Sequence, residues 1–277
     1  MSENKDIIKR QIFKMNEFNQ IYEDIIKNID ENIVVPKDVL DSFKIKDRLN
    51  KDIWDAKNIK PEIGQKLIRI AKSFISDISL PQNIKIKDVL FVGSLANYNW
   101  SKFSDFDLHI VIDFSEFEED KDFVKSFFDA QKNIWNENHD ITILGYPVEI
   151  YVQDKDHEMT SSAIYSLLND RWLAKPEKKS FKLDKPLVIG KIKNFFGKLK
   201  VIEEFFKAGE YEKVIEKIKK IKDRIKTMRK SGLESGGEFS TENIIFKILR
   251  RTDFIEIINN YKNKAYDELM SINEDIP

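Results

Sequence analysis

At 277 residues, the chain is long enough for one large domain or two to three small ones with a substantial buried core. Its 47 Lys and Arg against 48 Asp and Glu leave a net charge of −1, which excludes a whole-molecule attraction to nucleic acid, so any such attraction must be local. The absence of cysteine excludes disulfides and thiolate metal sites, and three scattered histidines argue against a zinc centre.

The opening MSENKDIIKR has no signal-peptide core, and no apolar run approaches the roughly 18 residues of a membrane span, so a cytoplasmic protein with no membrane partner is expected. Residues 4–30 carry Ile8, Ile12, Met15, Phe18, Tyr22, Ile25 and Ile29 at steps of three and four, the period of an amphipathic helix. Pro36 begins a shorter helix through Phe43. Pro61, at a first helical position, opens another with Ile63, Leu67, Ile70 and Phe74 on one face, ending before Pro81. Simple core packing accounts for these helices; one wall of a substrate cleft is the alternative.

A strand from Ile84 to Val92 leads into FVGSLANYNWSKFSDFDLHIVID, residues 91–113. The strand ends at Gly93-Ser94, a polar connection follows, and a second strand begins at Ser104. Strand side chains alternate between faces, so Asp105 and Asp107 share one face and Phe106, Leu108, Ile110 and Ile112 the other, the core face. Two carboxylates side by side repel, and a divalent cation with oxygen ligands is the natural compensation; solvated acids at a strand edge are the plainer reading. His109 lies on the same face, either beside Asp107 as its support or as a structural histidine, and Ser104 is placed to orient a carboxylate or the turn. At Gly93 the backbone can approach a phosphate closely, and the Ser94 hydroxyl and nearby N–H groups can hold it; an ordinary strand-end turn is the alternative.

Residues 115–138 read as a helix burying Phe123, Phe127, Ile134 and Trp135. The strand from Thr142 to Gln153 returns with Val148, Ile150 and Val152 alternating against Glu149, Tyr151 and Gln153. Paired with the Asp strand, it brings Glu149 to the same site, with Asp113 and Asp154 next in line as third carboxylate. Three carboxylates suit two Mg²⁺ ions about 3.5–4 Å apart, the arrangement used for in-line phosphoryl displacement. Tyr151, Tyr165 or Trp172 could stack on a base, although such aromatics are more often core. His157-Glu158 and the polar loop through Ser162 do not have metal-ligand spacing.

Ala163 to Leu173 reads as a hairpin around Asn169-Asp170, and Pro176 to Ser180 as a linker. A helix from Pro186 carries Ile192, Phe195, Leu199, Ile202 and Phe206, broken at Ala208-Gly209. From Tyr211, a seam of Val214, Ile218, Ile221, Ile225 and Met228 follows. That helix, 210–230, holds nine Lys or Arg against four acids: either a solvated face or a phosphate track on Lys213, Lys219, Lys220 and Lys226, with Lys217 and Arg224 flanking the seam. The glycine-rich stretch 231–237 is expected to be flexible. Ser240 or Thr241 caps a last helix to about Ser271; near its start, Arg250 and Arg251 could clamp phosphates or form salt bridges.

Gly93-Ser94, the eleven-residue step to Asp105, the Asp105-Phe106-Asp107 triplet and Glu149 between Val148 and Ile150 together resemble the polymerase β-type nucleotidyltransferase superfamily over residues 84–155. The resemblance implies an α+β fold, with an N-terminal helical segment (1–80), a small mixed-sheet catalytic core (81–180) and a C-terminal helical domain (181–277). It implies metal-dependent transfer of a nucleoside monophosphate from an NTP, ATP by default, to a hydroxyl acceptor with release of pyrophosphate. Asp105, Asp107 and Glu149 would be the catalytic and metal residues for two Mg²⁺ or Mn²⁺ ions. Gly93, Ser94, Ser104 and Tyr151 would bind the nucleotide. A nucleotide or RNA acceptor is expected. The rival readings are a catalytically silent binding or toxin–antitoxin partner protein and a DxD glycosyltransferase. Oligomeric state is open.

Overall fold

The computed structural model describes residues 35–78, 80, 84–159 and 161–271; the helix expected over 4–30 lies outside them. A short helix α1 (Lys37–Asp41) is followed by two compact units, residues 41–180 and 181–271, the latter taking in residues 35–40. The segment 41–80 therefore belongs with the sheet rather than standing apart as an N-terminal helical segment.

In the first unit, a small hairpin pairs β1 (Trp54–Asp55) with β2 (Asn58–Ile59). Helix α2 (Pro61–Asp77) opens with Pro61 and buries Ile63, Leu67, Ile70 and Phe74, the stripe its periodicity announces. The remaining strands are β3 (Asp88–Val92), β4 (Phe106–Ile112), β5 (Thr142–Ile143), β6 (Tyr146–Asp154), β7 (Ile164–Ser166) and β8 (Arg171–Ala174). They form one mixed sheet in the order β5-β6-β4-β3-β7-β8, so the chain is α+β. Strands β4 and β6 are parallel neighbours. Parallel pairing requires a long crossover, which helix α3 (Lys121–Asn138) supplies.

One sheet face is covered. Phe106, Leu108, Ile110, Ile112, Phe91, Val148 and Ile150 form a single apolar core with α2 and α3. Helix α3 contributes Val124, Phe128 and Trp135, while Phe123 is 59% and Ile134 52% exposed. The expected face was thus right at Trp135 and one residue out of phase at Phe123, Phe127 and Ile134. Adjacent residues sit 100° apart on a helix, so the sequence offers two neighbouring apolar stripes. The Phe128 stripe wins because it stacks on Phe114 and meets Phe117 edge-on. The helix starts later than expected, at the Asp120 cap, whose carboxylate accepts from the N–H groups of Asp122 and Phe123.

The strand expected over 142–153 is a β5–β6 hairpin, turned at Leu144 (φ 54°) and Gly145 (φ 80°), the pair of positive φ values of a type I′ turn. The β7–β8 hairpin turns at Asp170 (φ 48°), as expected.

The second unit packs α4 (Lys185–Lys207), α5 (Tyr211–Gly236), α6 (Thr241–Arg251) and α7 (Phe254–Met270). The stretch 231–236, expected to be flexible, continues α5. Gly232 is there for packing: a Cβ on it would lie 2.5 Å from Glu242 Cβ and 2.7 Å from Ser240 Oγ. The single last helix is instead two, broken at Thr252-Asp253 with Asp253 at φ 56°. This puts Arg250 and Arg251 in the last turn of α6, where cations favour the helix dipole, rather than near a helix start. Among the described residues, no helix is long and apolar enough to cross a membrane.

Candidate functional site

The sheet face away from the α2–α3 core carries the candidate site. Parallel pairing sets Asp107 opposite Glu149, and antiparallel pairing sets Val92, immediately before Gly93, opposite Asp107. With a side-chain period of two, a one-residue slip would turn every carboxylate into the core; the apolar residues of β4 and β6 fix the register and so fix the site. Asp105, Asp107 and Glu149 are all partly exposed, and each presents an oxygen within 4.8 Å of those of the others.

Gly93 belongs to the same arrangement. Its backbone lies at φ 79°, ψ −163°, a region essentially reserved for glycine. A Cβ there would sit 1.8 Å from Asp107 Oδ2 and 2.8 Å from its Cγ. The Asp107 carboxylate thus lies directly over the Gly93 backbone.

Ser94 starts a 3₁₀ turn, Ser94–Ala96, and its hydroxyl is 2.7 Å from that of Ser104. Ser104 Oγ also accepts from the Ser101 N–H at 3.0 Å. These two serines therefore tie together the two ends of the loop that joins β3 to the Asp strand. Asn97 Nδ2 donates to Ser162 Oγ at 2.9 Å, linking the loop to the segment before β7.

Beyond the carboxylates lies a polar layer. The Tyr151 hydroxyl donates to Glu149 Oε2 at 2.6 Å. Its ring stacks on His109, centroids 4.9 Å apart, and the Lys132 ammonium lies 4.6 Å from the ring centre. Burial, then the bond to Glu149 and the charges of Glu149, Asp107 and Asp105, push the Tyr151 phenol well above its usual range, so it stays a donor at neutral pH. His109 bonds Gln153 Oε1 through Nδ1 at 2.6 Å. Burial holds its pKa below the usual histidine value, against the opposing pull of the Gln153 bond.

The other candidates fall elsewhere. Asp113 is held by Lys155 and Ser115 at 2.7 and 2.6 Å, which together keep its carboxyl well below the usual range. Asp154 pairs with Lys121 at 2.5 Å. Tyr165 and Trp172 pack with Trp54 in an aromatic cluster, Tyr165 in the core and Trp172 half-buried against it, so neither faces the carboxylates. His157 and Glu158 are exposed.

Sequence reasoning missed three things here: the Tyr151–Glu149 bond, the Lys132 contact and the Gly93–Asp107 approach. The first was signalled by the shared parity of 149 and 151. The second had no signal, because it depends on how α3 docks. A cluster of hard carboxylate oxygens, partly shielded and converging on one point, fits Mg²⁺ or Mn²⁺. Compared with known protein families, curated proteins and solved structures, the chain matches none.

Proposed function

We propose that the chain is a metal-dependent nucleotidyltransferase that moves a nucleoside monophosphate from an NTP to a hydroxyl acceptor. The observation that carries this reading is the convergence of Asp105, Asp107 and Glu149 within 4.8 Å beside a glycine whose missing side chain makes room for one of them. A DxD glycosyltransferase would leave Gly93 and Glu149 without a role. The intact triad also speaks against a silent binding module.

Asp105, Asp107 and Glu149 would hold the metal. Bound there, Mg²⁺ or Mn²⁺ would neutralise phosphate charge and make the acceptor hydroxyl more acidic. Ser94 offers the triphosphate a hydroxyl, with Ser104 keeping its side chain in place, and Gly93 seats Asp107 beside it. Glu149, oriented by Tyr151, is placed to take the proton of the acceptor hydroxyl. The acceptor oxygen bonds to the α-phosphorus, the bond from that phosphorus to the α–β bridging oxygen breaks, and pyrophosphate leaves. The superfamily resemblance makes ATP the first donor to test and a nucleotide or RNA the first acceptor.

Incubation with each radiolabelled NTP and Mg²⁺ or Mn²⁺, with and without total RNA, should give a labelled product that Asp107→Asn abolishes. The same NTP and metal should raise the melting temperature, since a ligand bound only by the native state adds about 2.7 kcal/mol at a hundred times its Kd. Equal stabilisation in the presence of a chelator, or no product from any NTP, would remove the reading.

A further inference from the structure

The strands give the carboxylate site a direction. Strand β3 runs into Gly93 and Ser94 just past the pairing of Val92 with Asp107. The other way along the same face, the next pair after Asp107 and Glu149 is His109 opposite Tyr151, roughly 6–7 Å further on. On β3 the residue at that level is the apolar Leu90. The three carboxylates therefore stand between a serine end and a tyrosine end.

The two ends suit different substrates. If the triphosphate lies at Ser94, pyrophosphate departs on that side. In phosphoryl transfer the attacking and leaving oxygens lie roughly in line through the phosphorus. The acceptor hydroxyl must then arrive from the tyrosine end. Glu149 is on hand there, held at 2.6 Å by the Tyr151 hydroxyl.

That end carries an uncommitted cation. Lys132 reaches over from α3, and its ammonium lies 4.6 Å from the centre of the Tyr151 ring. The side chain is half-buried. Among the described residues the ammonium forms no ion pair and no hydrogen bond. A lysine whose task was to neutralise the triad would close on one of its members. This one lies instead over the ring of the tyrosine that holds Glu149. The other polar groups nearby are committed to one another, Tyr151 to Glu149 and His109 to Gln153. His109 stacks on the Tyr151 ring as well, so the tyrosine is engaged by His109 and Lys132 rather than left open to a base. Three ammonium N–H donors on a flexible stem are what this end has to offer a ligand.

We propose, resting on the transferase reading, that Lys132 receives a phosphate of the acceptor. The acceptor is then a phosphorylated hydroxyl compound, bound with its hydroxyl at Glu149 and its phosphate at Lys132. A lysine holds phosphate as a point charge, without the fixed geometry of an arginine, so this side selects for charge and not for a particular base. Neutral acceptors forgo the contact. Lys132 is thus a specificity-determining residue for the acceptor, while Ser94 serves the donor.

The test is isothermal titration calorimetry of the full chain in Mg²⁺, with α,β-methylene-ATP as a donor that cannot release pyrophosphate. On the chain saturated with this analogue, UMP is compared with uridine, which differs from it only by the phosphate. UMP should bind about tenfold tighter or more, the scale of one hydrogen bond to a charged group. Lys132→Gln should erase that preference while analogue affinity and melting temperature stay at wild type. Lys132→Arg should restore it. Lys125→Gln makes the same charge change two turns away on α3 and should keep it. A lysine that only packs against Tyr151 would not separate UMP from uridine. Equal binding of the two, no binding of UMP to the loaded chain, or a UMP preference that survives Lys132→Gln would each overturn the proposal and leave the transferase reading standing. Analogue binding that is absent, or that persists unchanged in a chelator, would remove the transferase reading and this proposal with it.

Discussion

Replacing Gly93 with alanine is the sharpest single perturbation of the site, because one methyl group carries two separable costs. The first is backbone strain. At φ 79°, ψ −163° an L-residue pays about 1–3 kcal/mol, and at about 2–4 °C per kcal/mol for a chain of this order of size the melting temperature should fall by roughly 2–12 °C. The second is steric. The new carbon would lie 1.8 Å from Asp107 Oδ2 and 2.8 Å from Cγ, so the carboxylate must rotate away. It then leaves the position in which its oxygen lies within 4.8 Å of those of Asp105 and Glu149. Thermal melting reads the first cost, and Mn²⁺ binding, followed by electron paramagnetic resonance, reads the second. In an Asp107→Ala background the carboxylate is absent and only the tight 3.2 Å approach of the two Cβ atoms remains, so Gly93→Ala should there show the backbone cost with a small steric remainder. The difference between the two backgrounds is the coupling energy. A Gly93→Ala protein that melts like the wild type and binds Mn²⁺ equally well would refute both the contact and its place in the site.

Two further outcomes follow from the same geometry. Glu149→Gln keeps the shape and removes the charge; it should lower turnover roughly a hundredfold or more with NTP affinity nearly unchanged, and wild-type turnover would take the proton-accepting role from Glu149. Tyr165 is buried and donates to Asp170 Oδ1 at 2.5 Å; burial first, and then that bond, push its phenol up to about 12. A raised pKa in the folded state contributes stability that is fully present below about pH 10, the unfolded value, and is lost as pH rises toward 12. Melting followed across that window should fall less steeply in Tyr165→Phe, and an unchanged slope would show that the phenol is not held neutral by the fold.

The sheet and the carboxylates were legible because period two is unforgiving: Phe106, Leu108, Ile110 and Ile112 could only face inward, which fixed Asp105 and Asp107 without knowledge of any partner strand. The apolar alternation of 148–152 put Glu149 on the polar face of its strand, and only the parallel pairing of β4 with β6 sets it opposite Asp107. Helices leave more freedom. In α3, Phe123-Phe127 and Val124-Phe128 were both plausible stripes, and only the position of Phe114 and Phe117 decides between them. The hairpin at Leu144-Gly145 was hidden because leucine rarely adopts positive φ, and the break at Asp253 because neither glycine nor proline marks it. The glycines of 231–237 misled for the opposite reason: Gly232 serves close helix packing, not flexibility.

The strongest argument that the carboxylate site is functional is where the sequence disagrees with itself. Elsewhere along these strands, the alternation of the sequence and the packing of the sheet agree. At one end of the sheet they do not. Asp107 and Glu149 stand directly opposite on neighbouring strands, where like charges destabilise. Beside them, Leu90, Val92, Val111 and Ile164 form a small apolar patch, which withholds water from that side and strengthens the repulsion. Gly93 gives up the side chain that would have separated the β3 backbone from Asp107, and a tyrosine hydroxyl is committed to Glu149 alone. None of these choices improves the sheet, and each could be undone by one substitution. Local violations that gather on neighbouring strands in this way are expected at functional sites, and on the proposed reading a ligand with positive charge and affinity for oxygen is the addition that would turn them to advantage.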